Sequence, residues 1–463
     1  MTATRGKYEI DMTHGALLPK ILLFAVPLIF SSILQLLFNA ADIVVVGRFG
    51  RNGAHSIAAV GSTGSLINLI VALFIGLSVG VNVVAARYFA AGEKQHMSET
   101  VHTSTALSII GGVLVGALGF VIARPVLTLM GTPPEVLPLA VTYMRIYFVG
   151  APVLFLYNLG SAILRAVGDT RRPLYFLIIS GVINVILNLF FVIVLRMDVA
   201  GVAAATVLSE AISAVLILRC LIMTKESYRL TVSAIRVNRH KLGLILKIGV
   251  PAGVQSMIFS FSNVLIQSSV NSFGAVAMAG NAAGSNLEGF VYMAMNAIYQ
   301  ASVSFTSQNY GAGDMKRVNR VLLTCLATVF VIGAAMGNLF YLFGGRLLSL
   351  YTNDPAAIEF GLRRMGVICT LYFLCGLMDT VCGSIRGLGW SVVPMVVSLI
   401  GACGFRIVWI YTYFRVHHEL TVLYLSYPIS WALTGTVHLI CFLLIRRHLD
   451  RTLEEKAAWK ERA

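Results

Sequence analysis

Gln35, Asn39 and Asp42 stand four and three residues apart, a spacing that puts all three on one helix face. The residues around them, from Ile21 to Ala41, carry no charge. One carboxylate and two amides therefore form a polar stripe on an apolar helix. Buried acids of this kind usually face a polar cavity or a partner. The oxygens would suit a hard cation such as sodium, and the carboxylate could instead carry a proton. Arg48 offers a plainer alternative, as the interfacial neutraliser of Asp42.

Asn184 and Asn188, in Asn-Val-Ile-Leu-Asn, make a second i, i+4 polar face, and Thr206 is a candidate neighbour. Such amides can also bond one membrane helix to another. Glu210, Glu288 and Asp379 are further acids inside apolar runs, with Arg145 and Arg406 available as partners. Glu288 is followed by Tyr292, Met293, Met295 and Tyr299. Soft aromatic surfaces of this type accept varied apolar ligands, although they pack ordinary cores equally well. Pro27 and Pro251 fall early in matching helices, where a proline weakens the backbone ladder, and Pro27 is a candidate hinge.

The elements that position these residues are helices long enough to cross a bilayer, each needing roughly 20 apolar residues. Twelve are predicted, near 17–47, 54–85, 97–123, 137–159, 172–195, 199–222, 242–272, 277–308, 317–344, 357–385, 393–414 and 421–446. The first is too long for a signal-peptide core and recurs in mid-chain, so it reads as a permanent span. Dyad alternation of porin type is missing.

Composition agrees. Of 463 residues 57% are hydrophobic and 12% charged, with a mean hydropathy of +0.83. A soluble protein would carry about a quarter charged residues. Seven Cys show no metal spacing and read as buried thiols. Walker, HExxH and DDxxD-type patterns do not occur, which argues against an enzyme and against an ATP-driven pump. His417, His418 and Glu419 are the one close cluster of catalytic type, in a loop expected to be solvated.

The chain is duplicated. Ala-Val-Pro at 25–27 returns as Gly-Val-Pro at 249–251. ARYFAAGEKQ from Ala86 returns as SQNYGAGDMK from Ser307, 221 positions later. LTLMGTPPE from Leu127 returns as LSLYTNDPA from Leu348 at the same offset, as do Arg165 and Arg386, Gly168 and Gly389, and Pro173 and Pro394. The expected fold is an all-α integral membrane protein of two six-helix bundles, 1–223 and 242–463, joined by a cytoplasmic connector at 224–241. An even number of spans per half gives parallel repeats related by a pseudo-two-fold axis along the membrane normal. Transporters of that plan hold substrate between or inside the bundles. A passive channel is the bland alternative.

The formal charge of +15 at first suggests nucleic acid. Its distribution argues otherwise. With the N-terminus inside, 25 of the 35 Lys and Arg fall on one side. The other side holds Arg48, Arg51, Arg124, Arg196, Arg346, Arg363, Arg364 and Arg415. This bias predicts a multi-pass protein of the cytoplasmic membrane with both termini in the cytoplasm.

The opening AVPLIFSSILQLLFNAADIVVVGRFG, the loop LRAVGDTRRP and its copy IRGLGWSVVP, on twelve spans in two halves, resemble the MATE family of multidrug and toxic-compound extrusion transporters. The resemblance covers essentially the whole chain. It implies an antiporter, acting without a cofactor, in which sodium or protons enter while a drug-like, often cationic, substrate leaves. The family's N-terminal ion site has a first-helix Asp, matched by Asp42, and an Asn-x-x-x-Asp, matched here by Asn184 and Asn188 with an amide in place of the second carboxylate. Thr206 matches the family's threonine. Of a C-terminal Glu and Asp pair found in one branch, Asp379 matches the Asp, while Phe259 stands at the Glu position. The implied substrate cavity includes Gln35, Asn39, Asp42, Glu288, Tyr292, Met293 and Asp379, with no metal beyond sodium at Asp42. A monomer is expected. A lipid-linked sugar flippase of the same superfamily is the alternative, but it needs a cationic cavity, and the buried charge reads as mainly acidic.

Overall fold

The computed structural model describes residues 8–50 and 53–462, with the side chains at 54, 65, 69, 70 and 453–462 outside the described set. Arg51, and Arg5 and Lys7 of the basic side, lie outside the described residues. Helices begin and end where glycine permits it. At Gly92 and Gly168 φ is +71° and +93°, the left-handed region in which a side chain is strained. Each glycine closes a helix: the Glu93 N–H reaches back to the Tyr88 carbonyl, and the Asp169 N–H to that of Leu164. Gly313 and Gly389, each 221 positions on, close their helices in the same way through Asp314 to Asn309 and Trp390 to Ile385. The duplication is thus written into the backbone as well as the side chains.

The first half holds α1 (Leu17–Phe49), α2 (Ala54–Ala90), α3 (Lys94–Leu129), α4 (Leu137–Val149), α5 (Ala151–Ala166), α6 (Arg171–Leu189) and α7 (Val199–Met223). The second holds α8 (Arg239–Asn271), α9 (Ala275–Gly311), α10 (Met315–Leu342), α11 (Gly344–Leu348), α12 (Pro355–Ile368), α13 (Phe373–Gly387), α14 (Val392–Ser398), α15 (Phe405–Trp409) and α16 (Leu420–Arg462). No strand occurs among the described residues. Wide π turns extend α6 at Phe190–Val194 and flank α15 at Leu399–Gly404 and Ile410–Phe414.

Among the described residues, nine helical segments are individually long and apolar enough to span. Two more spans are bent pairs, α4 with α5 by 49° and α12 with α13 by 48°. The straight spans expected at 137–159 and 357–385 are therefore broken. In the first, Pro152 removes a backbone donor and crowds the preceding turn. The second breaks without a proline. The span expected at 277–308 is α9, which falls outside this set, and its 37 residues are mostly buried beneath α10, α12 and α13. A helix sheathed by others needs no lipid-facing apolar belt, which explains its many Asn, Ser and Thr.

The chain divides into two compact units. Unit one is the described part of the first ten residues with Pro27–Gly253, including the 224–241 connector; unit two is Asp11–Val26 with Val254–Ala463. In unit one α3 packs on α4 and α5, α2 on α5, and α6 on α7. Gly112 and Gly116 of α3 face the break, where an added Cβ would lie closer than 3.0 Å to Pro152 and to the Phe148 carbonyl. Unit two repeats the device: Gly333 and Gly337 of α10 approach Phe373 and the Cys369 carbonyl as closely. In both units a glycine pair lets a straight helix nest against a bent one.

Candidate functional site

Ser180, Asn184 and Asn188 recur every fourth residue along α6, and all three are buried. Ile179, Val182 and Ile186 of the same helix are exposed. The helix is polar inside and apolar outside, as a lipid-facing span with a polar interior should be. Gly181 carries no side chain, so the Phe38 ring lies where its Cβ would be. That approach brings α1 onto α6, and Asp42 one turn beyond Phe38 meets Asn188.

Asp42 is 6% exposed. The Asn188 amide Nδ2 donates to its Oδ1 and also to Asn184 Oδ1, at 3.1 Å. Thr206 Oγ1 lies 3.2 Å from Asp42 Oδ2 and 2.9 Å from the Val202 carbonyl. Asn184 Nδ2 is 3.5 Å from Thr206 Oγ1. Thr206 has one proton to share between two acceptors. Asn188 Oδ1 is buried and receives no hydrogen bond among the described residues. Among the described residues Asp42 makes no ion pair. The cluster offers a carboxylate, two amide oxygens and a hydroxyl, the ligand chemistry of a hard cation, or equally a seat for one proton.

The structure thus brings Asp42, Asn184, Asn188 and Thr206 together. Arg48 does not neutralise Asp42. Glu210, one turn beyond Thr206 and half-buried, lies within electrostatic reach of Asp42, as does Tyr143 of α4, which the sequence reading missed. Gln35 and Asn39 do not join the cluster; both are exposed and make no side-chain hydrogen bond among the described residues. Pro27 interrupts α1 fifteen residues before Asp42, at the border of the two units.

Glu288 requires a correction. It is 4% exposed, and both its oxygens are taken by Arg364, at 2.8 Å from Nε and 2.7 Å from Nη2. Arg364 Nη1 and the Tyr424 hydroxyl both donate to Asn281 Oδ1. Glu288 is therefore a buried structural ion pair, not an open cavity wall. Arg364, expected on the outer surface, is inside.

Asp379 lies against the Tyr292 hydroxyl and within electrostatic reach of Arg386. Tyr292 is partly exposed and stacks on Tyr372, which stacks on Trp431, with ring centroids 6.4 and 5.3 Å apart. Met293 beside it is half-buried. Arg386 donates to the Tyr299 hydroxyl (2.5 Å) and to Gln255 Oε1 (2.7 Å). Arg406, 2% exposed, sits over Tyr427 at 4.3 Å and donates Nε to Ser430. It meets no carboxylate among the described residues. The interior of unit two thus holds Arg364, Arg386 and Arg406 against Glu288 and Asp379, so buried charge there is not mainly acidic.

Comparison with known proteins places this architecture. The MatE family model matches twice, over residues 27–190 and 251–412, once in each copy of the repeat. The chain is 29% identical over 391 residues to "Probable multidrug resistance protein YpnP" of Bacillus subtilis, covering 84% of this chain and 87% of that one. It is 27% identical over 331 residues to "FAD transporter" of Shewanella oneidensis, covering 70% and 72%. A crystal structure described as MATE in the bent conformation superposes with a TM-score of 0.88 at 22% identity, covering 96% of this chain and 98% of the other. The chain belongs to the MatE family of membrane transporters.

Proposed function

We propose that this protein is a cation-coupled antiporter that exports drug-like, often cationic, amphipathic molecules across the cytoplasmic membrane. The observation that carries the reading is Asp42: a carboxylate buried in a membrane span, contacted by an amide and a hydroxyl, with no cationic side chain paired to it among the described residues. A charge at that depth is costly unless compensated. Sodium or a proton supplies the compensation, and its release leaves a state that favours a different arrangement of α1. Pro27, inside that helix, is where it would bend. Substrate and ion then alternate in one cycle, coupled through their differential affinity for the inward and outward states. The relative named for multidrug resistance supports the substrate class. The 25 basic residues on one side support cytoplasmic termini, and the transport unit is a monomer without nucleic-acid partners.

The test uses everted vesicles loaded with a fluorescent lipophilic cation, under a sodium gradient and a pH gradient imposed separately. Movement driven by one gradient in the wild type and lost in Asp42→Asn supports the reading and names the ion. Equal movement in both proteins refutes it.

A second reading, export of anionic cargo, has one observation in its favour. Arg406 is buried among Tyr427, Trp431 and Tyr372 without a carboxylate, and one relative is named for FAD, an anionic aromatic molecule. A lipid-linked flippase falls in this class. Vesicles loaded with a fluorescent aromatic anion, or with a lipid-linked oligosaccharide, distinguish it from the first.

A further inference from the structure

The duplication allows one unit to be compared with the other. In unit one the start of α3 is closed over by the connector and the start of α8. The Asn238 N–H donates to Thr103 Oγ1 at 3.1 Å, and the Thr231 N–H to His102 Nε2 at 3.0 Å. Lys241 Nζ lies 3.8 Å from the centre of the Tyr88 ring and 3.9 Å from Glu99. At the 221-residue offset, His96, Glu99, His102 and Thr103 correspond to Arg317, Arg320, Leu323 and Thr324 at the start of α10. There the acid has become a base, and a second base has been added.

In unit two this place is a cleft of about 390 Å³, walled by Gly15, Leu17 and Leu18 on one side and by Arg317, Arg320, Leu323 and Thr324 on the other. All belong to unit two. Arg317 Nε and Nη2 are held by the carbonyls of Met12 (3.3 Å) and Gly15 (2.9 Å), which fixes the guanidinium at the rim. Arg320, three residues on and thus on the same helix face, is exposed and makes no side-chain hydrogen bond or ion pair among the described residues. The nearby acids are engaged: Asp314 accepts the Arg317 N–H, and Asp11 accepts from Thr13 and His14. Leu17 and Met315 each open a membrane span, so the cleft lies at the membrane–water interface. Leu18 and Leu323 remain 49% and 66% exposed beside the two guanidiniums.

We infer that this cleft binds the phosphodiester headgroup of an anionic phospholipid, with Arg317 and Arg320 on the phosphate and Leu18 and Leu323 along the acyl chains. Guanidinium matches phosphate oxygens in geometry as well as charge, and basic pockets between spans at the interface are suited to acidic headgroups. The lipid takes the role that connector polypeptide performs in unit one. It also ties the start of α1, the helix that carries Pro27 and Asp42, to α10.

The experiment titrates the purified full-length protein in detergent with dioleoylphosphatidylglycerol, with dioleoylphosphatidylcholine and with inorganic phosphate, reading the thermal unfolding midpoint. Phosphatidylglycerol is expected to raise the midpoint saturably in the wild type. Arg320→Gln should raise the half-saturating concentration about five-fold, the loss of one interfacial basic contact. Arg320 is exposed and has no side-chain partner to lose among the described residues, so this variant is expected to fold. Arg317→Gln with Arg320→Gln should abolish the saturable response. Equal half-saturation in wild type and Arg320→Gln would overturn the inference. So would an equal response to phosphatidylcholine, or its full reproduction by inorganic phosphate.

Discussion

Asn188 of α6 donates its side-chain amide to the carboxylate of Asp42 in α1, 146 residues away in sequence, and its own buried carbonyl oxygen has no donor among the described residues. One end of the amide neutralises part of the acid's lone-pair demand, while the other faces inward as a spare ligand. On the proposed function, a cation or proton at Asp42 would enter a half-built shell.

Asp42→Asn removes the only carboxylate of this cluster while keeping its size. Gradient-driven dye movement is expected to fall to the level of empty vesicles. Equilibrium binding of the dye in detergent should persist within a few-fold, because the substitution deletes coupling and not the cavity. Binding lost together with transport would instead make Asp42 a substrate contact.

Asn188→Ala should raise the ion concentration for half-maximal efflux ten-fold or more, since a hydrogen bond to a charged group contributes about 1.5–3 kcal/mol. Asn184→Ala should have a smaller effect, because Asn184 reaches Asp42 only through Asn188 and Thr206. The reverse ranking, measured as efflux against sodium or proton concentration, would mean that Asn184 is the direct ligand.

The Asn184 and Asn188 pair was legible because helix periodicity holds in a membrane as in water, whereas the likeness to a known family, not spacing, joined the pair to Asp42 and Thr206. Other features had no such mark. Arg363 and Arg364 read as two neighbouring charges of the outer side, but on α12, which Asp354 caps and Pro355 begins, they separate. Adjacent residues on a helix diverge by about 100°, and Arg363 pairs outward with Glu359 while Arg364 turns inward to Glu288. The Asp-Pro start was a readable signal for this. The break after Ile368 was not, since it holds no proline and the nearby Gly366 lies within α12, whereas Pro152 marks its counterpart. Gln35 and Asn39 share a face with Asp42 in projection, but only Asp42 lies where α1 meets α6.

Glu288→Gln and Arg364→Met should each destabilise the fold by about 3–5 kcal/mol, because each leaves its partner charged and buried. Glu288→Met with Arg364→Met should be markedly more stable than either single variant. Thermal unfolding of the purified proteins reads the order. A Glu288→Gln protein as stable as wild type but deficient in efflux would return Glu288 to the substrate path.

Gly112→Ala and Gly289→Ala make a matched pair of opposite sign. At Gly112 the new methyl group meets the Pro152 backbone, which cannot yield without shifting the bent span, and the cost should be about 1–3 kcal/mol. At Gly289 nothing lies within 4 Å, so alanine should stabilise α9 by up to about 1 kcal/mol through helix propensity alone. Equal unfolding midpoints for the two would mean that the α3 nesting contact is not tight in solution.

Pro27→Ala separates a hinge from a static kink. Proline at this position withholds the N–H that would bond four residues back, and Ser31 Oγ bonds the Pro27 carbonyl at 2.9 Å. Alanine restores the missing donor in a helix interior, where proline is less favourable by about 3 kcal/mol, so the variant should unfold at a higher temperature. If bending at Pro27 moves α1 between its two states, the same stiffening should slow turnover while the ion dependence set by Asp42 and Asn188 stays unchanged. Higher stability with wild-type turnover would assign Pro27 to shape alone. Stability and ion dependence changing together would mean that the kink positions Asp42 directly.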